Sequence, residues 1–299
     1  MKIRLLALLL LAAAGSAAAS APKAAGAPLE CRTLDLAAAP QLQSIMPRLA
    51  RQRVVFVGEN HDNYADHLVE LAIIRGLYAR HRNLALGLEF FQQPFQPALD
   101  AYIAGRIDEA QMLRRTQYFR RWGYDYRYYR PIMRFARAHH IPVIALNLPG
   151  EITSKVARHG MDSLTAKERA EIPHTIDRTD TAYRSRLLKV FSKHPHHRDT
   201  DFEKFLDVQL LWDEGMAARA AKYLRAHPGR RMVILAGAGH LQYGSGIPRR
   251  LKRRLPVSSA IVLNARENPL DPKVADILTL PAERHLPPPG RLGIYRAPL

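Results

Sequence analysis

The chain has 299 residues, a formal charge of +18 and a single cysteine, Cys31. One cysteine excludes an intramolecular disulfide, a CxxCH attachment site for c-type haem and a four-cysteine zinc knot. The charge favours anionic partners such as nucleic acid, an acidic membrane surface or a carboxylate-bearing ligand. The basic residues are scattered, with short clusters at Arg120-Arg121 and Arg249 to Arg254, and read mainly as solvated surface.

The first 21 residues read as a secretory leader. Lys2 and Arg4 precede an apolar run from Leu5 to Ala14, and Ala17-Ala18-Ala19 supplies an A-x-A cleavage pattern. The run is too short to span a bilayer stably, and no cysteine follows closely enough for acylation. The expectation is a soluble chain, 22–299, that is periplasmic or secreted, without a transmembrane segment. Losing Lys2 and Arg4 takes its charge from +18 to +16. Export makes nucleic acid a poor partner, and no zinc-finger or RNP pattern is present. Cys31 then sits as a passive residue in an extended N-terminal segment.

Beyond the leader, VVFV (54–57), NLALGLE (83–89), PVIALN (142–147), MVILAG (232–237) and SSAIVLN (258–264) are short, nearly uniform apolar runs rich in Val, Leu and Ile. Strands buried on both faces read this way. The fold class is α/β: a central, mostly parallel sheet flanked by helices, with a helical insert (150–228) between the third and fourth strands of the NLALGLE-containing order. No repeat, linker or composition shift divides it, so one domain is expected. PPPG at 287–290 isolates a short RLGIYRA segment, a candidate edge strand.

Ligands of open parallel sheets collect beyond the carboxyl ends of the strands. Here the first strand ends in Gly58-Glu59-Asn60-His61, the second in Gly87-Leu88-Glu89, the third in Asn147 and the fourth in Gly237-Ala238-Gly239-His240. Two ends share a glycine followed three residues later by histidine. The glycine is expected to turn the backbone out of the strand, bringing His61 and His240 together with Glu59 and Glu89 in one crevice. Such a set suits a metal ion, a general base or a polar anchor.

At helical spacing, Phe202, Phe205, Leu206, Trp212, Met216, Ala220 and Tyr223 share a face, with Lys204, Asp207, Lys222 and Arg225 opposite. Gln209 and Asp213 lie at the centre of the apolar face. Buried polar groups need partners, and His61 or His240 are the candidates. On the preceding helix, Tyr64, His67, Leu68, Leu71, Ile74 and Tyr78 share a face, so His67 points inward as a core histidine or a ligand. The loop His194, His196 and His197 reads as solvated. WGYDYRYYR (122–130) sets four tyrosines among arginines; tyrosinate ligates ferric haem and arginine pairs with propionates, whereas the plainer reading is an aromatic packing face. HExxH, GxSxG, a P-loop and a complete dinucleotide fingerprint are absent.

Taken together, GENHDNYADH, GLEFFQQPFQPALDAYIAG, YRPIMRFARAHHIPVIALN, WDEGM and GAGHLQYGSGIPRRL resemble the ChaN-like haem-binding lipoproteins of the haem-binding uptake and Tiki superfamily, over a core of about 45–265. The resemblance implies haem binding for iron uptake or handling, tyrosine ligation of iron, and a homodimer around stacked haems. It maps family motifs onto Glu59, His61, His67, Glu89, Gln209, Trp212, Asp213, Gly237 and His240, and with Gly58 from the first strand end these are the expected pocket residues. Tyr129, in the YRP motif, and Tyr124 are the candidate iron ligands. The absent acylation cysteine departs from the lipoprotein pattern and leaves membrane tethering without a basis. The wider superfamily includes metal-dependent peptidases and esterase-like proteins. The alternative is therefore a hydrolase in which His61, Glu89 and His240 hold zinc or manganese and Glu59 or Asp213 acts as general base.

Overall fold

A computed structural model of the chain describes residue 35 and residues 38–193 and 201–286. The leader, Cys31, the His194/His196/His197 loop and RLGIYRA lie outside the described residues. The folded unit that carries the elements named here begins at Pro40.

Helix α1 (Leu42–Ala50) precedes β1 (Val54–Glu59), and α2 (Tyr64–Arg80) leads to β2 (Leu84–Gln92). Four helices follow before β3 (Val143–Asn147): α3 (Gln96–Ile103), α4 (Glu109–Arg115), α5 (Tyr118–Arg121) and α6 (Arg130–Ala138). The insert contains α7 (Gly150–His159), α8 (Ala166–Ala170), α9 (Thr181–Phe191) and the long α10 (Phe202–Ala226), and ends at β4 (Arg231–Gly237). Then come α11 (Ile247–Arg254), β5 (Ser259–Asn264) and a short β6 (Ile277–Thr279). The five apolar runs are β1 to β5; β6, only half-buried, carries too few apolar residues to announce itself.

The sheet has the order β3-β2-β4-β1-β5-β6, and every neighbouring pair is parallel. Its strands alternate between two cores. Val55, Val57, Leu86 and Leu88 face the helices from α1 to α6, whereas Val54, Phe56, Ile144 and Ile234 face α10 and α11. The reason lies in the order of connections. The chain moves from β1 through β2 to β3 in one direction and returns through β4 to β5 in the other, and right-handed crossovers then put the two sets of helices on opposite faces. Where neighbouring strands send their helices to opposite faces, the loops part and leave a crevice at the carboxyl ends. This occurs between β4 and its neighbours β1 and β2, and again between β2 and β3.

Helix α10 departs from the single-faced pattern expected of it. Asp207 is buried and ion-paired with Arg178 rather than facing solvent, and Leu210, Leu211, Ala217 and Ala221 are buried as well. The helix lies on the sheet and is also covered by α7, α9 and α11, so it has several buried sides. None of the helices among the described residues is long and apolar enough to cross a membrane.

Candidate functional site at the carboxyl rim of the sheet

Glu59 is the last residue of β1 and is almost wholly buried. Two residues on, the His61 Nδ1 lies 2.6 Å from its Oε1. Glu89, within β2, accepts a hydrogen bond of 2.7 Å from the Gly237 N–H through Oε2, and its Oε1 is 3.4 Å from His240 Nε2. His240 ends a 3₁₀ turn (Ala238–His240) that follows β4 directly, and its Nδ1 lies 2.7 Å from Asp213 Oδ1 on α10. The phenol of Tyr183 donates to the other Asp213 oxygen at 2.6 Å. A Cβ added to Gly237 would sit 3.0 Å from His61 Cε1 and 3.7 Å from Glu89 Oε2. The side chains of His61, Glu89 and His240 therefore meet at one rim, although they belong to three different strands or the turns that follow them, and Glu89 sits three residues before the end of β2 rather than closing it.

The glycines act differently from expectation. Gly237 has φ −52° and Gly58 is not among the residues with positive φ, so neither supplies a left-handed turn. Both permit close approach instead. A Cβ on Gly58 would lie 2.3 Å from Leu263 Cδ2, and one on Gly237 would press on the His61 ring.

Two carboxylates at this rim are driven in opposite directions. Burial pushes the Glu59 carboxyl up to about 6, against the hydrogen bond from His61. Burial would raise Glu89 too, but the charge and hydrogen bond of His240, the charge of His61 and the Gly237 N–H outweigh it and bring that carboxyl down to about 2. His240 is correspondingly raised well above the usual imidazole range: burial opposes the charged form, and Glu89 and Asp213 on either side overcome it. The rim thus sets a carboxyl held low, Glu89 beside His240, against a carboxyl held high, Glu59 beside His61. Burial opposes charge on His61 as well, yet Glu59 and Glu89 raise it overall.

The remaining residues singled out from the sequence separate clearly. His67 is sealed, with Nδ1 2.9 Å from Glu70 and Nε2 3.2 Å from the His61 carbonyl, and serves as a satisfied core histidine behind the rim. Trp212 stands edge-on to His240 with ring centroids 6.1 Å apart. Gln209 is only half-buried and makes no side-chain hydrogen bond among the described residues; partial exposure leaves its amide to water, so it needs no partner from the rim. Tyr129 is wholly buried, its ring 4.1 Å from Phe90, its hydroxyl accepting from Trp122 Nε1 at 3.1 Å and lying 3.4 Å from Glu59. Burial, with Glu59 next, pushes its phenol well above the usual range, so an iron could reach it only by displacing those neighbours. Tyr124 is different. It is 37 % exposed, and its ring lies 4.7 Å from that of His61, beside Trp122.

Three buried groups at or near the rim escaped the sequence reading: Asp66, Glu70 and Tyr183. Asp66 accepts from the Asn60 N–H at 2.9 Å and from Asn264 Nδ2 at 2.6 Å, tying the loop after β1 to the end of β5. Glu70 is fully buried, and its carboxyl is pushed well above the ordinary range, by burial and then by Asp66. Asp66 and Glu70 sit one turn apart on α2, beside the inward His67; that spacing was the available signal. No group of three or more His, Cys, Asp or Glu side chains among the described residues is arranged to hold a metal ion.

The family model described as haem-binding uptake, Tiki superfamily, ChaN matches residues 45–251. The chain belongs to this family. Among solved structures, this ChaN-family chain is similar to ChaN of Campylobacter jejuni, described with cofacial haem binding, at 18% identity and a TM-score of 0.60, covering 79% of this chain and 90% of that one. An erythromycin esterase mutant in its open conformation matches at 16% identity and TM-score 0.45, over 80% of this chain and 79% of that one. The type III effector HopBA1 matches at 11% identity and TM-score 0.48, over 79% and 91%. At these identities the likeness to ChaN of Campylobacter jejuni speaks for the fold. No curated protein matches the sequence.

Proposed function

We propose that the rim binds haem, with Tyr124 as the protein ligand to ferric iron, and that the chain takes part in haem or iron handling outside the cytoplasm without catalysing a reaction. The observation that carries this reading is the placement of Tyr124: of the two candidate tyrosines, it alone presents its phenol at the open rim, above His61 and beside Trp122. Beyond the ends of β1 and β5, a cavity of about 440 Å³ is lined in part by Tyr64, Tyr128, Arg266, Arg284 and His285 together with the carboxylates Asp62, Glu267 and Glu283; Asp62 also acts on the Tyr124 phenol. Tyr64 and Tyr128 offer ring faces, and Arg266 and Arg284 offer cations, to a flat ring bearing carboxylates, set against the three carboxylates of the same lining. Bound haem would supply a ferric centre for a tyrosinate; the protein supplies the phenol, the aromatic surface and the cations.

The Tyr124 phenol is raised by burial and then by Asp62, Glu59 and Glu89. Ligation requires the deprotonated phenol and so releases a proton, and haem affinity is expected to fall as pH falls. Titration of the purified chain with haemin, followed in the Soret region at pH 6 and pH 8, tests this: saturable binding that is tighter at pH 8 is expected, and absence of saturation at either pH would end the reading. Pairing of two copies around stacked haems belongs to the same proposal and predicts twice the mass by light scattering only when haem is bound. Export rests on Lys2, Arg4 and the apolar run after them. Mass spectrometry of secreted material should find a chain starting near residue 22, and an intact Met1 would refute it.

Hydrolysis at the same rim is the second reading. It draws on the Glu59–His61 pair and the Glu89–His240–Asp213 chain, which resemble the acid–imidazole pairs of general acid–base sites. Hydrolysis of an activated ester that disappears in His61→Ala, in a chain that does not take up haemin, would favour it.

A further inference from the structure

The second crevice of the sheet lies between β2 and β3. Here α3 to α6 leave for one face, whereas α7 packs on α10 at the other, through Ile152, Val156, Val208 and Leu211. The parting loops open a cleft of about 650 Å³. Its floor is a fixed guanidinium. Arg121 donates to Gln92 Oε1 at 2.7 Å, to both Glu151 oxygens at 2.7 and 3.0 Å and to Gln117 at 3.0 Å, and lies over the Phe95 ring. Gln92 Oε1 also accepts from the Gly150 N–H at 3.0 Å, which locks the end of β2 to the start of α7.

Around this floor stand Arg120, Lys155 and Arg158, and the only carboxylate in the lining is Glu151, already committed to Arg121. Lys155 is held by Glu168, but Arg120 and Arg158 make no side-chain hydrogen bond or ion pair among the described residues. Arg120 and Arg158, exposed and without a hydrogen-bonded or ion-paired partner among the described residues, flank the neutral Arg121–Glu151 pair at a position where open α/β sheets bind ligands, and leave the lining with an excess of positive charge.

We propose that this cleft binds a compact small-molecule polyanion, bearing two or more phosphate or carboxylate groups, through Arg120 and Arg158, independently of the rim at β1 and β4. Guanidinium forks match both anion types, so inorganic pyrophosphate and citrate are the probes that separate them. Isothermal titration of the full chain with each is expected to give one saturable site for at least one probe, weakened by added NaCl. The exposed double variant Arg120→Ala/Arg158→Ala, checked for native circular dichroism, is expected to lose at least tenfold in affinity while its haemin titration stays unchanged. Saturable binding that survives the double variant would place the anion elsewhere and overturn the proposal. So would failure of both probes to bind. Unchanged probe binding with weakened haemin uptake would assign these arginines to haem propionates, again overturning an independent site.

Discussion

Gly237 decides how closely the two halves of the rim approach. Because an added Cβ would lie 3.0 and 3.2 Å from atoms of the His61 ring, Gly237→Ala should destabilise the fold by about 1–2 kcal/mol through overpacking. The same change made in His61→Ala should cost much less, since the clashing ring is gone. Denaturant unfolding of the two singles and the double closes the cycle, and additive effects would show that the two residues do not press on each other. Glu59 offers a test by titration. Its carboxyl is held at about 6 in the folded chain against an ordinary 4.5, so the folded state keeps this proton longer, and ionising Glu59 costs stability as pH rises through that window. The difference corresponds to about 2 kcal/mol. Relative to the native chain, Glu59→Gln should gain about that much stability between pH 4.5 and pH 7.5. A difference that stays flat with pH would mean that folding leaves the Glu59 carboxyl at its ordinary value.

The elements that carry the fold were readable because strands buried on both faces leave uninterrupted apolar runs, and β1 to β5 fall on those runs. The polar rim was readable in part for a related reason: Glu59 ends such a run and His240 follows one, whereas Glu89, expected to close the second strand, lies within β2, which continues through buried Phe90 and Phe91 to Gln92. What helical spacing missed was charge buried by helices packed on several sides. Glu214 on α10 is fully buried, accepts from the Asp177 N–H at 2.9 Å and is paired with Arg253 at 2.7 Å and Arg254 at 2.5 Å. Arg250, equally buried, lies 3.3 Å from it. The Arg249 to Arg254 cluster, read from sequence as mainly solvated surface, is so at Arg249, Lys252 and Arg253, but Arg250 is buried, and Arg250, Arg253 and Arg254 together clamp α11 to Glu214 of α10, with Arg249 and Arg253 also holding Asp177. Removing one partner from such a buried pairing strands the other charges, so Glu214→Gln should cost about 3 kcal/mol and raise hydrogen exchange at Asp177 and Thr179 ahead of the sheet. A loss below about 1 kcal/mol, with exchange unchanged there, would contradict the clamp.

At the scale of the whole molecule, the parallel order β3-β2-β4-β1-β5-β6 opens two crevices at one edge, and the chain equips them differently: acids and imidazoles between β1, β4 and β2, and three arginines, of which Arg121 is held in place, between β2 and β3. Sequence could name the strand ends, but the strand order that brings His61 beside Gly237 and Glu89 exists only in the folded sheet. The two tyrosines show the same limit, since residues five apart in WGYDYRYYR both contact Trp122 yet differ in burial, Tyr129 in the core and Tyr124 at the surface. That contrast gives the most direct test of the haem assignment: haemin titrations of Tyr124→Phe and Tyr129→Phe, read by absorption spectroscopy for the bands of tyrosinate-bound ferric haem. The account predicts that those bands vanish in Tyr124→Phe and persist in Tyr129→Phe; bands retained in Tyr124→Phe, or lost only in Tyr129→Phe, would contradict it.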